Sequence, residues 1–254
     1  MSLEIKNITF GYSPKQTVLA DISFAVEENE FVSLAGPNGT GKTTLLKCMN
    51  RILRPQAGQI IFNGNDITGS RQQDIAKIMA YVPQYTNALR PMPVINAVMM
   101  GRLPHAQGEY SAKDREIVFS ILQKMDIEKF AFRDIRQLSG GERQKVVIAR
   151  ALAQQPKVII LDEPTGNLDL KNQLHILKLI AGLCKTEKLA VIMSIHDLNL
   201  AAMFADKILM LKDTRIFTCG SPGNVITREN IASIYGVATA VTTEDGYKHV
   251  RLLK

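Results

Sequence analysis

The stretch Gly36-Pro37-Asn38-Gly39-Thr40-Gly41-Lys42-Thr43-Thr44 limits what this chain can fold into more than any other part of it. It follows Glu30-Phe31-Val32-Ser33-Leu34-Ala35, a short apolar run with the character of a buried strand, and precedes Leu45-Leu46-Lys47-Cys48-Met49, which opens a helix. A glycine-rich turn between strand and helix lets successive backbone N–H groups converge on one point, and the helix start adds partial positive charge there. G-x-x-x-x-G-K-T in that setting predicts a phosphate cradle, with Lys42 reaching β- and γ-phosphates and the Thr43 hydroxyl directed at Mg²⁺. A turn that merely joins two elements would leave the complete motif unexplained.

A chain of 254 residues can bury a substantial core around such a loop without staples. No run approaches the roughly 18 to 20 apolar residues needed to cross a bilayer, and the first ten residues lack the basic-then-apolar layout of a signal peptide. Cys48, Cys184 and Cys219 stand singly in apolar segments and are odd in number, which favours small core residues in a reduced compartment over disulfides. The net charge of +7 is not gathered into a basic run or tail, so a solvated basic surface accounts for it and no nucleic-acid partner is expected.

Before the loop, Leu3, Ile5, Ile8 and Phe10 alternate with polar neighbours, and Ile22, Phe24 and Val26 do so again after a loop containing Pro14, which predicts an antiparallel ribbon. Tyr12 closes the first of these strands, where it either stacks on a base or is an ordinary edge-strand aromatic. Ile60-Ile61-Phe62 runs into the hairpin signal Asn63-Gly64. Met79-Ala80-Tyr81-Val82 reads as a buried strand ending at Pro83-Gln84, with Gln84 either directed at a metal or water or simply a polar loop residue. From residue 85 to 153 strand signals fade: residues 94–100 are apolar, Ser111 opens a helix with Ile117, Ile121 and Met125 as its stripe, and Met92, Met99, Met100 and Met125 serve as core or interface filler.

That segment closes on Leu138-Ser139-Gly140-Gly141-Glu142 and a helix running to Ala153. Ser139 and Glu142 have capping-box spacing, yet a cap does not explain two glycines, poor helix formers, in the first turn; the alternative is a second anion-binding helix end. Lys157-Val158-Ile159-Ile160-Leu161 reads as a central parallel strand buried on both faces. It delivers Asp162 and Glu163 at the end where open α/β sheets bind ligands, one suited to Mg²⁺ and the other to a water in line with a γ-phosphate. Leu168-Asp169 opens another helix, with Leu174, Leu177 and Ile180 as its stripe, and a further strand over 189–195 ends at His196, either a γ-phosphate ligand or a structural histidine. His105, His175 and His249 have no comparable placement. Hairpins are expected at Asp213-Thr214 and Asp245-Gly246, with a short helix over 227–235 stopped by Gly236 between them.

Together, GPNGTGKTT (36–44), YVPQ ending at Gln84, LSGGE (138–142), VIILDEP (158–164) followed by Leu168-Asp169, and His196 resemble the motifs of ATP-binding-cassette ATPases, in that family's order and across essentially the whole chain. Gly101-Arg102-Leu103-Pro104-His105, the helix from Ser111 and His196-Asp197-Leu198-Asn199-Leu200-Ala201 resemble one branch, the ATPase subunit of importers for iron-siderophores, haem, cobalamin and related chelates. The sequence departs from that branch at Gly166-Asn167, where Ser-His is common, and at Thr214, where glycine is common.

The resemblance implies an α/β P-loop NTPase fold. A single domain over 1–240 would combine a RecA-like parallel-sheet core and an antiparallel β subdomain (1–84 and 156–240) with a helical subdomain inserted at about 85–155, and 241–254 would be a C-terminal hairpin extension. It implies ATP and Mg²⁺, bound between two copies in a head-to-tail homodimer. Tyr12 would stack on adenine; Gly36, Pro37, Asn38, Gly39, Thr40, Gly41, Lys42, Thr43 and Thr44 would hold phosphates; Thr43, Gln84 and Asp162 would arrange the metal. Glu163 would be general base or water-positioner, His196 would hold the γ-phosphate, and Gln84 and Lys42 would complete the catalytic set. Ser139, Gly140, Gly141, Glu142 and Asp169 would serve the other copy's nucleotide. Membrane permease subunits, a substrate-binding protein reached through them, and a peripheral position on the cytoplasmic membrane face complete the expectation. Cassettes of iron–sulfur assembly, cell division or nucleic-acid processing carry the same catalytic motifs; the GRLPH-like stretch and the lack of a long coiled-coil or zinc-bearing insertion separate this chain from them.

Overall fold

The computed structural model describes residues 1–13, 15–84, 91–106, 108–166 and 168–253. The first two apolar alternations form β1 (Ser2–Ser13) and β2 (Gln16–Glu27), antiparallel, with Leu3 opposite Val26 and Ile5 opposite Phe24. The expected loop residue Pro14 lies outside the described residues. β3 (Phe31–Ala35) is buried throughout and leads into the phosphate loop and α1 (Lys42–Met49). That helix starts at Lys42 rather than Leu45, because left-handed Gly41 turns the chain straight into it. β4 (Ala57–Phe62) and β5 (Asn65–Asp66) meet at Asn63-Gly64, whose φ values of 48° and 80° make the type I′ turn that Asn-Gly favours. These strands form an antiparallel sheet in the order β2-β1-β4-β5.

After α2 (Gln72–Ile78), a six-stranded sheet takes shape from β3 and β6 (Met79–Val82), β7 (Val158–Asp162), β8 (Ala190–Ser194), β9 (Lys207–Lys212) and β10 (Arg215–Gly220). Its order is β10-β9-β3-β8-β7-β6, parallel except for β10 on the edge. Successive side chains of a strand point to opposite faces, which explains why β7 is apolar at every position before Asp162. Ile159 and Leu161 enter one core cluster with the helices, while Val158 and Ile160 enter the other with the antiparallel sheet and α1.

Between β6 and β7 the described residues hold α3 (Val94–Met99), α4 (Ala112–Lys124) and α5 (Gly140–Ala153), with one isolated bridge, Pro93 to Asp134, and no strand. The buried face of α4 is Val118, Ile121, Leu122 and, at its end, Met125; Ile121 and Met125 of the expected stripe are buried, while Ile117 is only partly so and Val118 and Leu122 widen the face. α6 (Leu170–Thr186) and α7 (Leu198–Phe204) follow β7 and β8. The chain finishes with α8 (Pro222–Val225), α9 (Arg228–Tyr235) ended by left-handed Gly236, and the hairpin β11 (Thr239–Glu244) and β12 (Tyr247–Leu252). The hairpin therefore begins two residues before the expected boundary at 241, and Val241 and Val250 pack on the helical core rather than standing apart as an extension. Cys48 and Cys184 are core residues as expected; Cys219 is exposed, because β10 is an edge strand whose alternate residues face solvent.

Candidate active site

In the order β3-β8-β7-β6 the strands are parallel neighbours, so their carboxyl ends lie side by side. From those ends hang the phosphate loop after β3, His196 after β8, Asp162 and Glu163 at β7, and Gln84 after β6. Elements that sequence reasoning took from four distant places thus arrive at one mouth, the crevice where open α/β sheets bind ligands. A cavity of about 500 Å³ is lined there by Tyr12, Lys42, Thr43, Gln84, Glu163 and His196, together with loop residues Asn38, Gly39, Gly41 and Thr44.

Gly36 has φ 140°, and a β-carbon there would come within 2.6 Å of the Leu211 carbonyl, so the loop can lie against β9 only with glycine at this position. Pro37 helps to close the loop, its carbonyl accepting from Thr40 Oγ1 at 2.9 Å. Lys42 Nζ donates to the carbonyls of Gly36 and Pro37 at 2.8 and 2.9 Å. Burial lowers its pKa, and the nearby charges of Glu163 and Asp162 act in the opposite direction. A buried ammonium beside helix-terminal amides is suited to donate hydrogen bonds to phosphate oxygens.

The two carboxylates part company at the strand end. Asp162 is 1 % exposed; its Oδ1 accepts from Thr43 Oγ1 at 3.0 Å and Ser194 Oγ at 2.9 Å, and its Oδ2 accepts from the Tyr81 hydroxyl at 3.1 Å. Burial and the Asp162 charge push the Tyr81 phenol up, which keeps it a donor. Glu163 leaves the strand with φ 46°, left-handed for a residue that is not glycine, a conformation costing about 1–2 kcal/mol. Its backbone N–H donates to Ser194 Oγ at 2.8 Å, its Oε1 meets His196 Nε2, and its Oε2 accepts from Gln84 Nε2. Gln84 is therefore engaged by Glu163 rather than by the Thr43–Asp162 pair, and His196 by the same carboxylate.

Thr43 and Asp162 present hard oxygens in contact with each other beside the phosphate loop, which fits Mg²⁺. No cluster of three or more His, Cys, Asp or Glu occurs among the described residues, and none is needed, since Mg²⁺ next to phosphates takes one or two carboxylates and completes its shell from water and the nucleotide. Tyr12 is 62 % exposed at the cavity rim, its ring edge-on to Phe10 with centroids 5.0 Å apart and its hydroxyl sharing a hydrogen bond with Thr44 Oγ1 at 3.2 Å.

The Ser139 turn is a complete capping box: Glu142 N–H donates to Ser139 Oγ at 3.3 Å, and Glu142 Oε2 accepts from the Ser139 amide and hydroxyl, both at 2.8 Å. Those bonds hold the Glu142 carboxyl below its usual range. One of the two glycines has a packing reason, because a β-carbon on Gly141 would sit 2.9 Å from Asn172 Oδ1 of α6; Gly140 meets nothing closer than Leu168 at 3.7 Å. Asp169 caps α6 by accepting from Asn172 N and Nδ2 at 2.8 and 3.0 Å, so Asp169, Asn172 and Gly141 form one contact chain. Neighbouring Asn167 lies outside the described residues. Ser139, Gly141, Glu142, Lys145, Asn172 and His175 line a second cavity of about 230 Å³ that no phosphate-loop residue touches. His175, without a role in the sequence, belongs to this wall.

Sequence reasoning missed Ser194 and Tyr81, both hydrogen-bonded to Asp162. Their only local signal is a polar residue at the end or within a buried apolar run.

Comparison with known proteins gives a consistent picture. A protein-family model described as ABC transporter matches residues 19–166. The iron(3+)-hydroxamate import ATP-binding protein of Bacillus subtilis is 37 % identical over 245 residues, which is 96 % of this chain and 91 % of that protein. A solved inward-facing metal-chelate type ABC transporter has a chain 27 % identical, covering 100 % of this chain and 98 % of its own, with a TM-score of 0.86. A cassette solved as a dimer in a post-hydrolysis state, bound to ADP and phosphate, is 28 % identical, covers 87 % of this chain and 98 % of its own, and has a TM-score of 0.75.

Proposed function

The chain belongs to the ABC transporter family, and we propose that it is the ATP-hydrolysing subunit of an importer for an iron-siderophore, haem, cobalamin or a related metal chelate. The observation that carries this reading is the convergence of Lys42, Thr43, Asp162, Glu163, Gln84 and His196 at neighbouring strand ends. Phosphoryl transfer asks a protein mainly for positioning and for charge stabilisation, and this group supplies both.

Lys42 and the loop amides, including those of Gly39, Thr40 and Gly41, hold the phosphates, and Tyr12 stacks on adenine. Thr43 and Asp162, with Gln84 nearby, hold Mg²⁺, which when bound neutralises phosphate charge. Glu163 orients a water molecule and takes its proton, while Gln84 and His196 on either side fix its carboxylate; His196 then reaches the γ-phosphate as well. Tyr81 and Ser194 keep Asp162 pointed at Thr43 by donating to it.

A second copy completes the centre. Within one chain the Ser139 turn and the phosphate loop line separate cavities, so the turn, with Gly140 beside it and Asp169 at its edge, is free to face the nucleotide of a sister molecule. Closing two copies head to tail brings each serine-bearing helix start to the other's γ-phosphate. Permease subunits find their seat on the helical segment, where Met92, Ile95, Met99, Met100, Phe119 and Phe132 line an open cleft of about 870 Å³, with Phe132 80 % exposed. None of the chain's described helices is long and apolar enough to cross a membrane; in this reading attachment to the cytoplasmic membrane face runs through the permease, and contact with a substrate-binding protein is indirect.

The experiment is Glu163→Gln. Loss of a general base costs roughly 10²- to 10⁴-fold in rate, so the variant should bind ATP, hydrolyse it very slowly and accumulate as a closed dimer on size exclusion with ATP. Undiminished turnover, or a monomer under conditions where the wild type dimerises, would show that the base is elsewhere.

A further inference from the structure

His196 stands between two anchors. On its N-terminal side, Ile195 N–H donates to the Leu34 carbonyl at 3.1 Å, the last sheet bond of that strand. On its C-terminal side, α7 begins at once: Asp197 Oδ1 accepts from the backbone N–H groups of Asn199 and Leu200 at 2.8 and 3.1 Å. A helix of seven residues has little rigidity of its own, and its first turn sets where His196 can point.

That first turn is tied to a remote part of the chain. Asn199 Nδ2 donates to the Val250 carbonyl at 3.3 Å, and Asn199 Oδ1 accepts from the Val250 N–H at 2.7 Å, so one side-chain amide clasps both polar groups of a single residue in β12. The hairpin is itself held fast. Arg228 Nε donates to the Thr239 carbonyl at 3.0 Å, Leu253 N–H donates to the Ala238 carbonyl at 3.0 Å, and Val241 and Val250 pack on the main core. A two-point amide clasp fixes direction as well as distance, which a single bond does not.

We propose that Asn199 is a positioning residue for ATP hydrolysis: through its clasp on Val250 it makes the C-terminal hairpin the outer support of the turn that aims His196 at Glu163 and the γ-phosphate. The proposal rests on the reading of His196 given above. It gives β12, none of whose residues lines the phosphate cavity, a part in the reaction.

The test uses the full-length protein and measures kcat and KM for ATP, with nucleotide affinity from a fluorescent ATP analogue. Asn199→Ala removes the clasp from the helix side and Val250→Pro removes a donor from the hairpin side, so failure of either to fold leaves the other. Small displacements of catalytic groups cost up to about 100-fold, and both variants should lose roughly 10-fold in kcat with unchanged nucleotide affinity. On a His196→Ala background, Asn199→Ala should cause no further loss, because its effect passes through the histidine. Equal fractional losses with and without His196 would overturn the proposal, as would full kcat in the folded Asn199 and Val250 variants beside an impaired His196→Ala. Full kcat in His196→Ala would overturn the histidine's own assignment, and the clasp's role with it.

Discussion

Replacing Asp114 by asparagine should remove a large part of the protein's stability while leaving its nucleotide cavity untouched. Asp114 and Arg102 are 7 % and 5 % exposed, with Arg102 Nε on Asp114 Oδ1 at 2.7 Å. Arg102 Nη1 also donates to the Ala153 carbonyl at 2.7 Å and to Gln155 Oε1 at 3.0 Å, and Asp114 Oδ2 accepts from Ser111 N and Oγ at 2.9 and 2.7 Å. One buried ion pair thus joins the start of α4, the end of α5 and the turn after α3. Asp114→Asn keeps the shape and strands a guanidinium without its counter-charge, which in buried pairs costs about 3–5 kcal/mol. Against a total of about 5–15 kcal/mol, that is about a fifth or more of what holds the fold. Urea unfolding with a common slope should show it as a shifted midpoint.

The pH dependence has a definite sign. Hydrogen bonds from Ser111, then Arg102, hold the Asp114 carboxyl well below the usual carboxylate range. The folded-state pKa is depressed, so the contribution is fully present above the unfolded value near 3.9 and is lost as pH falls through the folded one. The gap between wild type and Asp114→Asn should therefore be constant near neutrality and narrow only below about pH 4. A loss under about 1 kcal/mol at pH 7 would mean that the pair behaves like a surface ion pair, and the reasoning from burial would be wrong.

Ser194→Ala leaves the buried Asp162 one donor short and the Glu163 N–H without its acceptor; it should cost about 1–3 kcal/mol in stability and lower kcat more than it raises KM, and unchanged kcat would exclude Ser194 from orienting these carboxylates. Thr214 occupies the left-handed region at φ 69°, where a β-branched residue is strained. Thr214→Gly should stabilise by about 0.5–1 kcal/mol, raising Tm by about 1–4 °C with ATPase activity unchanged, and a lower Tm would refute strain at that turn.

Much of this architecture was legible because it is written locally. The Asn63-Gly64 and Asp245-Gly246 turns, the Ser139–Glu142 box, the Gly236 stop and the unbroken apolar run before Asp162 each carry their cause within a few residues. The parts that escaped notice depend on partners far away in sequence. Ser194 meets Asp162 because β8 pairs with β7 in a register that puts them opposite each other, and nothing near Ser194 announces that. Gly101 opens the GRLPH-like stretch for a reason visible only in three dimensions, since a β-carbon there would lie 2.1 Å from the Arg150 carbonyl. The placing of Cys219 depended on β10 being an edge strand, and the face of α4 on which helices it packs against, both of which are properties of the assembled sheet and bundle.

The register that sets Asp162 beside Ser194 reaches past chemistry into the question of how the chain avoids misthreading. A slip of one residue between β7 and β8 would turn every side chain of the shifted strand to the opposite layer, where it would meet a different set of neighbours. A slip of two would leave each side chain on its proper layer and move Asp162 and Ser194 apart by about 6.6 Å. Grease cannot tell that impostor from the true arrangement; the polar contact at the strand tips can. The contact proposed to ready the site for ATP therefore also certifies that the sheet was put together correctly.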